Sequence, residues 1–276
     1  MDANQRVAIV TGGSSGLGRA IALALSKAGF NVAIAARSEQ PLMETVQLIE
    51  QSGGHVLAIQ ADVANRQAVE QLAAEVETKA GPIDLLVNNA GSFRAFGLIS
   101  EIDPEEWWCE IETNLRGPLL CSGVVLPRMI ARRRGRIINM ASAAGLQPFE
   151  TVSAYCVSKT ALIRFSESLA METRDQGIAV FAINPGTVRT PMSDYVVQTQ
   201  IVKQKAPMVQ QWYQHLYQSG QDTPIDQVIR LVLFLASGQA DSLSGCFLSV
   251  DDDVEELIRH ADEIQQNGQY RLRLHT

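Results

Sequence analysis

A chain of 276 residues, 46% hydrophobic and 19% charged, can bury a sizeable core and is expected to form one domain over residues 1–276, cytoplasmic, with disorder confined to its ends. Its net charge of −7 argues against nucleic acid or an anionic membrane as partner, since both reward a basic face. Cys109, Cys121, Cys156 and Cys246 show no metal-site spacing, the strand pattern from Arg6 leaves no room for a signal peptide, and no apolar run reaches the roughly 18 residues of a spanning helix.

Arg6–Thr11 is a continuous apolar run that ends in Gly12-Gly13-Ser14-Ser15-Gly16-Leu17-Gly18, followed by a helical pattern over Arg19–Gly29 and a second strand at Asn31–Ala36. A glycine turn between strand and helix lets backbone N–H groups approach a pyrophosphate, and the helix N-terminus favours its charge. In this βαβ setting dinucleotide binding is favoured over a merely tight turn. At the end of the second strand Ala36 stands where an NAD-preferring enzyme places a carboxylate for the ribose 2′-hydroxyl. Arg37 follows, and a guanidinium suits a 2′-phosphate, so NADP(H) is the preferred cofactor. NAD(H) is the alternative, if Arg37 is only a solvated loop residue.

Helices at Gln40–Ser52 and Asn65–Ala80 alternate with strands at His55–Ala61 and Ile83–Asn88, which predicts a parallel sheet. Trp107–Arg132 reads as the next helical segment, with Asn114 costly there unless hydrogen-bonded. The arginines of Arg132–Arg136 suit the end of that helix. Arg136–Ser142 is the fifth strand and Ser153–Arg174 a long helix that carries Tyr155 and Lys159 on one face. A phenol, ordinarily near pKa 10, needs a neighbouring positive charge to ionise near neutrality, which Lys159 can supply; taken alone, such a pair more often lies on a solvated helix than in a catalytic site. Gly177–Ile183 is the sixth strand, Pro185-Gly186 breaks the chain, Ile225–Ser237 is the last core helix, and Gly245–Val250 the seventh strand.

The motifs together resemble the classical short-chain dehydrogenase/reductase family. They are T-G-x-x-x-G-x-G from Thr11, Asp62-Val63, Asn88-Asn89-Ala90-Gly91, Asn114, Ser142 ahead of Tyr155-x-x-x-Lys159, and Pro185-Gly186. The resemblance implies a single-domain Rossmann fold, a doubly wound α/β structure with a seven-stranded parallel sheet and helices on both faces. It also implies reversible hydride transfer between NADP(H) and a small-molecule alcohol/carbonyl substrate. Tyr155 would be the general acid/base, Lys159 would lower its pKa and contact the ribose, Ser142 would hold the substrate oxygen, and Asn114 would bend its helix and support a relay water. The cofactor would meet Gly12, Ser14, Ser15, Gly16, Leu17 and Gly18 at the turn, Arg37 at the ribose, and Asp62 and Val63 at the adenine. Asn88, Ala90, Gly91, Tyr155 and Lys159 would line the nicotinamide ribose side, and Pro185, Gly186, Val188 and Thr190 the carboxamide side. No metal is implied, and a homotetramer or homodimer is. A catalytically silent NADP(H)-binding sensor or partner-binding module of the same fold is the alternative from another class.

Two stretches fit no template. Residues 191–224 form a long, polar, amide-rich insertion expected to cover the substrate, and its Met208, Trp212, Leu216 stripe suits pocket lining and core packing equally. After the seventh strand, Asp251-Asp252-Asp253 leads into a predicted extra helix at Val254–Gln266 and a tail to Thr276. The three carboxylates lack the further oxygen ligands and glycine of a recognised calcium loop.

Overall fold

Strands buried on both faces read as unbroken apolar runs, and seven of them make one sheet in the computed structural model, which describes residues 6–273. The last residues of the expected tail, 274–276, lie outside the described residues, as do residues 1–5. The strands are β1 Val7–Thr11, β2 Asn31–Ala36, β3 Val56–Gln60, β4 Ile83–Asn88, β5 Gly135–Met140, β6 Ile178–Asn184 and β7 Phe247–Ser249. All pair in parallel, in the order β3-β2-β1-β4-β5-β6-β7. The order reverses between β1 and β4, which opens a crevice at their carboxyl ends.

Helices α1 Gly16–Lys27, α2 Glu39–Gln51, α3 Arg66–Ala80 and α4 Pro104–Ile111 precede a π-helical turn at Glu112–Arg116. Then come α5 Gly117–Arg132, α6 Ser153–Glu172, α7 Pro191–Gln198, α8 Gln200–Lys205, α9 Pro207–Ser219, α10 Ile225–Ser237, α11 Val254–Arg259 and α12 Ala261–Asn267. Alternate strand residues face opposite sides. Thus Ala8 and Val10 pack with Ile21 and Leu25 of α1 and Leu235 of α10, while Val7 and Ile9 pack with Leu72 and Val76 of α3 and Met129 of α5. Both faces of the sheet are therefore covered by helices.

Three expected elements differ. The single segment at Trp107–Arg132 is two helices joined by a π turn that carries buried Asn114. The extra helix at Val254–Gln266 is broken at His260, the cap between α11 and α12. The 191–224 stretch is helical, as α7, α8 and α9, and its Met208 and Trp212 are exposed, so they belong neither to the core nor to a pocket wall.

The acidic run is used locally. Asp252 accepts the Ser249 N–H at 2.6 Å and Asp253 caps α11 by accepting the Glu256 N–H at 3.0 Å. Among the described residues no group of three or more His, Cys, Asp or Glu side chains could hold a metal ion, and no helix is long and apolar enough to cross a membrane. Beyond α12 the chain returns to the sheet edge, where the Phe247 N–H donates to the Tyr270 carbonyl at 2.8 Å. Buried Glu167 of α6 anchors this tail through Arg273 at 2.6 Å and also pairs with Arg164.

Candidate active site

The crevice is a cleft of about 350 Å³ at the carboxyl edge of the sheet. Its floor is laced between β1 and β4. The Thr11 hydroxyl accepts the N–H groups of Asn89 and Ala90, both at 3.0 Å, while Asn89 Nδ2 donates to the carbonyls of Thr11 at 2.9 Å and Gly12 at 3.3 Å. Gly12 has φ +67°, and a Cβ there would lie 2.9 Å from Ala90 Cα. A Cβ on Gly18 would fall 2.2 Å from the Gly12 carbonyl oxygen. Only glycine lets turn and helix approach so closely, and the resulting concavity fits a dinucleotide pyrophosphate.

Most sequence-predicted positions line this cleft: Gly12, Ser14, Ser15, Gly16, Leu17 and Gly18 at the turn, then Arg37, Asp62 and Val63 beside it. Ala90, Gly91, Tyr155 and Lys159 line the middle, and Pro185, Gly186, Val188 and Thr190 the far side. Thr190 also caps α7 in a reciprocal pair with Ser193. Asn88 lies elsewhere. It is buried beneath the floor, donating to Asn139 Oδ1 at 2.8 Å, while its neighbour Asn89 lines the cleft. The strand alternates faces, so adjacent asparagines take opposite surroundings.

Tyr155 and Lys159 open α6, and Lys159 Nζ stands 5.4 Å from the Tyr155 ring centroid. Ser142 reaches them because the turn Ala143–Gly145 is pressed onto α6. A Cβ on Gly145 would be 2.8 Å from the Lys159 carbonyl carbon, and Thr160 Oγ1 donates to the Gly145 carbonyl at 2.9 Å. The Ser142 hydroxyl accepts the Ala144 N–H at 3.1 Å and lies beside Tyr155, where it favours the phenolate. Lys159 is 5% exposed and donates to the Met140 carbonyl at 2.8 Å.

Burial lowers the Lys159 ammonium to about 8, with Glu110 opposing the shift. Burial pushes the Tyr155 phenol up to about 12. Burial thus dominates at Tyr155, and the contribution that opposes it comes from Ser142. Below pH 8 the two form a charged ammonium beside a protonated phenol.

Asn114 is 1% exposed at the π turn. It accepts the Ser92 N–H at 2.7 Å and donates to the Ser92 carbonyl at 2.9 Å and Ser158 Oγ at 3.1 Å. Its amide is engaged at both ends, as a buried amide must be. Sequence reasoning overlooked Asn89, Phe93 and Glu110. Phe93 lies with its ring centroid 4.4 Å from that of Tyr155, and Tyr213 of α9 lines the cleft 6.4 Å from Phe93. A signal existed only for Asn89, inside the Asn-Asn-Ala-Gly motif.

A family model described as short chain dehydrogenase matches residues 6–201. A short chain dehydrogenase of Pseudocercospora fijiensis is 40% identical over 190 residues, 68% of this chain but only 61% of that relative's length. The 3-oxoacyl-acyl-carrier-protein reductase FabG of Staphylococcus aureus is 35% identical over 245 residues, 88% of this chain and 96% of FabG. Among solved structures, an actinorhodin polyketide ketoreductase with NADPH superposes with a TM-score of 0.82 at 31% identity, covering 90% of this chain and 97% of the other.

The turn gives a direct test. Gly18→Ala, which drives a Cβ against the Gly12 carbonyl, should weaken NADPH binding by roughly tenfold or more, about 1.4 kcal/mol, in a fluorescence titration. Gly123→Ala, with nothing within 4 Å of its Cβ, should leave binding unchanged. Equal affinities for the two variants would remove the turn from the nucleotide site.

Proposed function

Because the chain belongs to the short-chain dehydrogenase family of NAD(P)-dependent oxidoreductases, we propose that it interconverts an uncharged carbonyl compound and its alcohol with NADP(H), using Tyr155 as general acid/base. The observation that carries this reading is the Ser142–Tyr155–Lys159 cluster at the edge of the glycine-floored cleft. When bound, the nicotinamide supplies or accepts the hydride. In reduction the Tyr155 phenol, held protonated by burial, gives its proton to the carbonyl oxygen, and Ser142 orients that oxygen by hydrogen bonding. The Lys159 ammonium stabilises the phenolate left behind and is placed to hold the ribose. In oxidation the same positive charge favours loss of the phenolic proton. Asn114 stands at the π turn beside Ser158, where we place a water route for the exchanged proton.

Arg37 supports the NADP(H) preference. It is exposed at the cleft margin, directly after Ala36, with no carboxylate at that position to repel a 2′-phosphate. The wall of Phe93, Met192 and Tyr213 supports a substrate with an apolar or aromatic body beside its carbonyl. Leu119 of α5 and Val157 and Met171 of α6 are exposed apolar residues, which supports assembly of a homodimer or homotetramer through these helices.

Uncharged ketones should oxidise NADPH, and Tyr155→Phe should lower kcat by about 10²–10⁴-fold with NADPH binding retained; near-normal turnover of this variant would sink the mechanism. Absence of turnover on a broad carbonyl panel, with NADPH still bound, would instead indicate a binding module. Reduction needs charged Lys159 together with protonated Tyr155, so its rate should be flat below pH 8 and fall above it as Lys159 deprotonates. The residual activity of Lys159→Met should lack that limb, and a limb that persists would assign it to another group. Arg37→Ala should raise the KM for NADPH roughly tenfold or more, the scale of one hydrogen bond to a charged group, and leave that for NADH unchanged. A similar change for both coenzymes counts against a 2′-phosphate contact.

A further inference from the structure

The loop that leaves β4 carries Phe93, and its backbone is fixed by two side chains of the neighbouring helical segment. Asn114 takes both the N–H and the carbonyl of Ser92. Four residues earlier, Glu110 Oε2 accepts the N–H groups of Arg94 at 2.5 Å and Ala95 at 3.0 Å. Phe93 is thus gripped from both sides. Its ring lies 4.4 Å from the Tyr155 ring, tilted by 40°, so its place decides how the phenol can lie.

Glu110 is unusual in itself. It is 1% exposed, and its second oxygen, Oε1, is buried with no hydrogen-bond partner. A buried carboxyl group in this condition is costly unless something specific compensates it. Its bonds to two backbone N–H groups are charge-assisted, roughly twice as strong as neutral ones, and the buried Lys159 ammonium lies within its electrostatic reach. An ordinary core would fill the position with an apolar side chain.

We propose that Glu110 is a positioning residue for the reaction: by holding the Arg94 and Ala95 N–H groups it seats Phe93 against the Tyr155 ring and so fixes the phenol for proton transfer. This rests on the reading of Tyr155 as the general acid/base. Asn114 anchors the loop at its start, and Glu110 sets its course where Phe93 turns inward.

The test combines turnover with a readout that needs none. Glu110→Leu, which removes the acceptor, should lower kcat by about 10- to 100-fold, the scale of a small misplacement of a reacting group, with the Kd for NADPH unchanged. Glu110→Gln, which keeps an acceptor oxygen, should stay within about threefold of wild type, as expected when a charge-assisted bond becomes neutral. Phe93→Ala should lower kcat similarly, and adding Glu110→Leu to it should cost nothing further. Hydrogen exchange at residues 92–96 should accelerate in Glu110→Leu and not in Glu110→Gln. Unchanged kcat in folded Glu110→Leu, losses that multiply in the double variant, or unchanged exchange in Glu110→Leu would overturn the proposal. If Glu110→Leu does not fold, Phe93→Ala decides, and wild-type kcat in that variant overturns it. If wild-type protein turns over no carbonyl compound, the function proposed for Tyr155 fails, while the exchange measurement still decides whether Glu110 holds the loop.

Discussion

An ammonium group held at 5% exposure constrains this molecule more than any other single feature. Removing such a charge from water costs several kcal/mol even after relaxation, so Lys159 needs partners, and they come from separate parts of the chain. The carboxyl end of β5 supplies the Met140 carbonyl, α4 supplies the Glu110 charge, and the first turn of α6 supplies the Tyr155 ring. These three elements must therefore meet at one point. Their meeting explains the close seat of Gly145 on α6 and the bond from Trp107 Nε1 to Ser153 Oγ at 3.0 Å, which ties α4 to the start of α6. The crevice between β1 and β4 then opens beside an assembled cluster.

Helices α7 to α9, which line one side of the cleft through Met192 and Tyr213, pack beside the same cluster. They rest largely on the loop after β4: Arg94 lies 3.4 Å over the Tyr195 ring, Phe96 stacks on Tyr195, and Tyr213 faces Phe93. Contacts of this kind each contribute on the order of 0.5–1.5 kcal/mol, enough together to hold these helices against the loop. Val196, Val202 and Ala206 complete a small apolar core of its own, separate from those of the sheet.

What could be read in the sequence followed the range of the interactions. The strands were legible within one or two residues, because a parallel strand is an unbroken apolar run whatever surrounds it. The glycine turn was legible because close backbone approach excludes every other residue type at Gly18. The π turn was not, since Glu112–Arg116 looks like continuous helix until Asn114 reaches across to Ser92. Nor was the exposure of Met208 and Trp212, because helical spacing marks a stripe without saying what covers it. Asn88 and Asn89 differ only in strand parity, which a motif does not resolve. Glu110 was hidden most fully, for an acid in a polar helical run reads as a solvated face, and only the fold returns the Arg94 and Ala95 N–H groups to it.

The balance around Tyr155 shows why these hidden residues matter. Burial, opposed by Ser142, pushes the phenol up to about 12. A unit charge roughly 5 Å away acts with about 3 kcal/mol at an effective dielectric near 20. Burial and such a charge act on the phenol in opposite directions. Ser142, the charge state of Lys159 and the seat of Phe93 then bear on whether the phenol holds its proton or gives it up. The acid/base role proposed for Tyr155 draws on such opposed influences, and a polar, open site would supply less of either, because burial and a single charge count for less there.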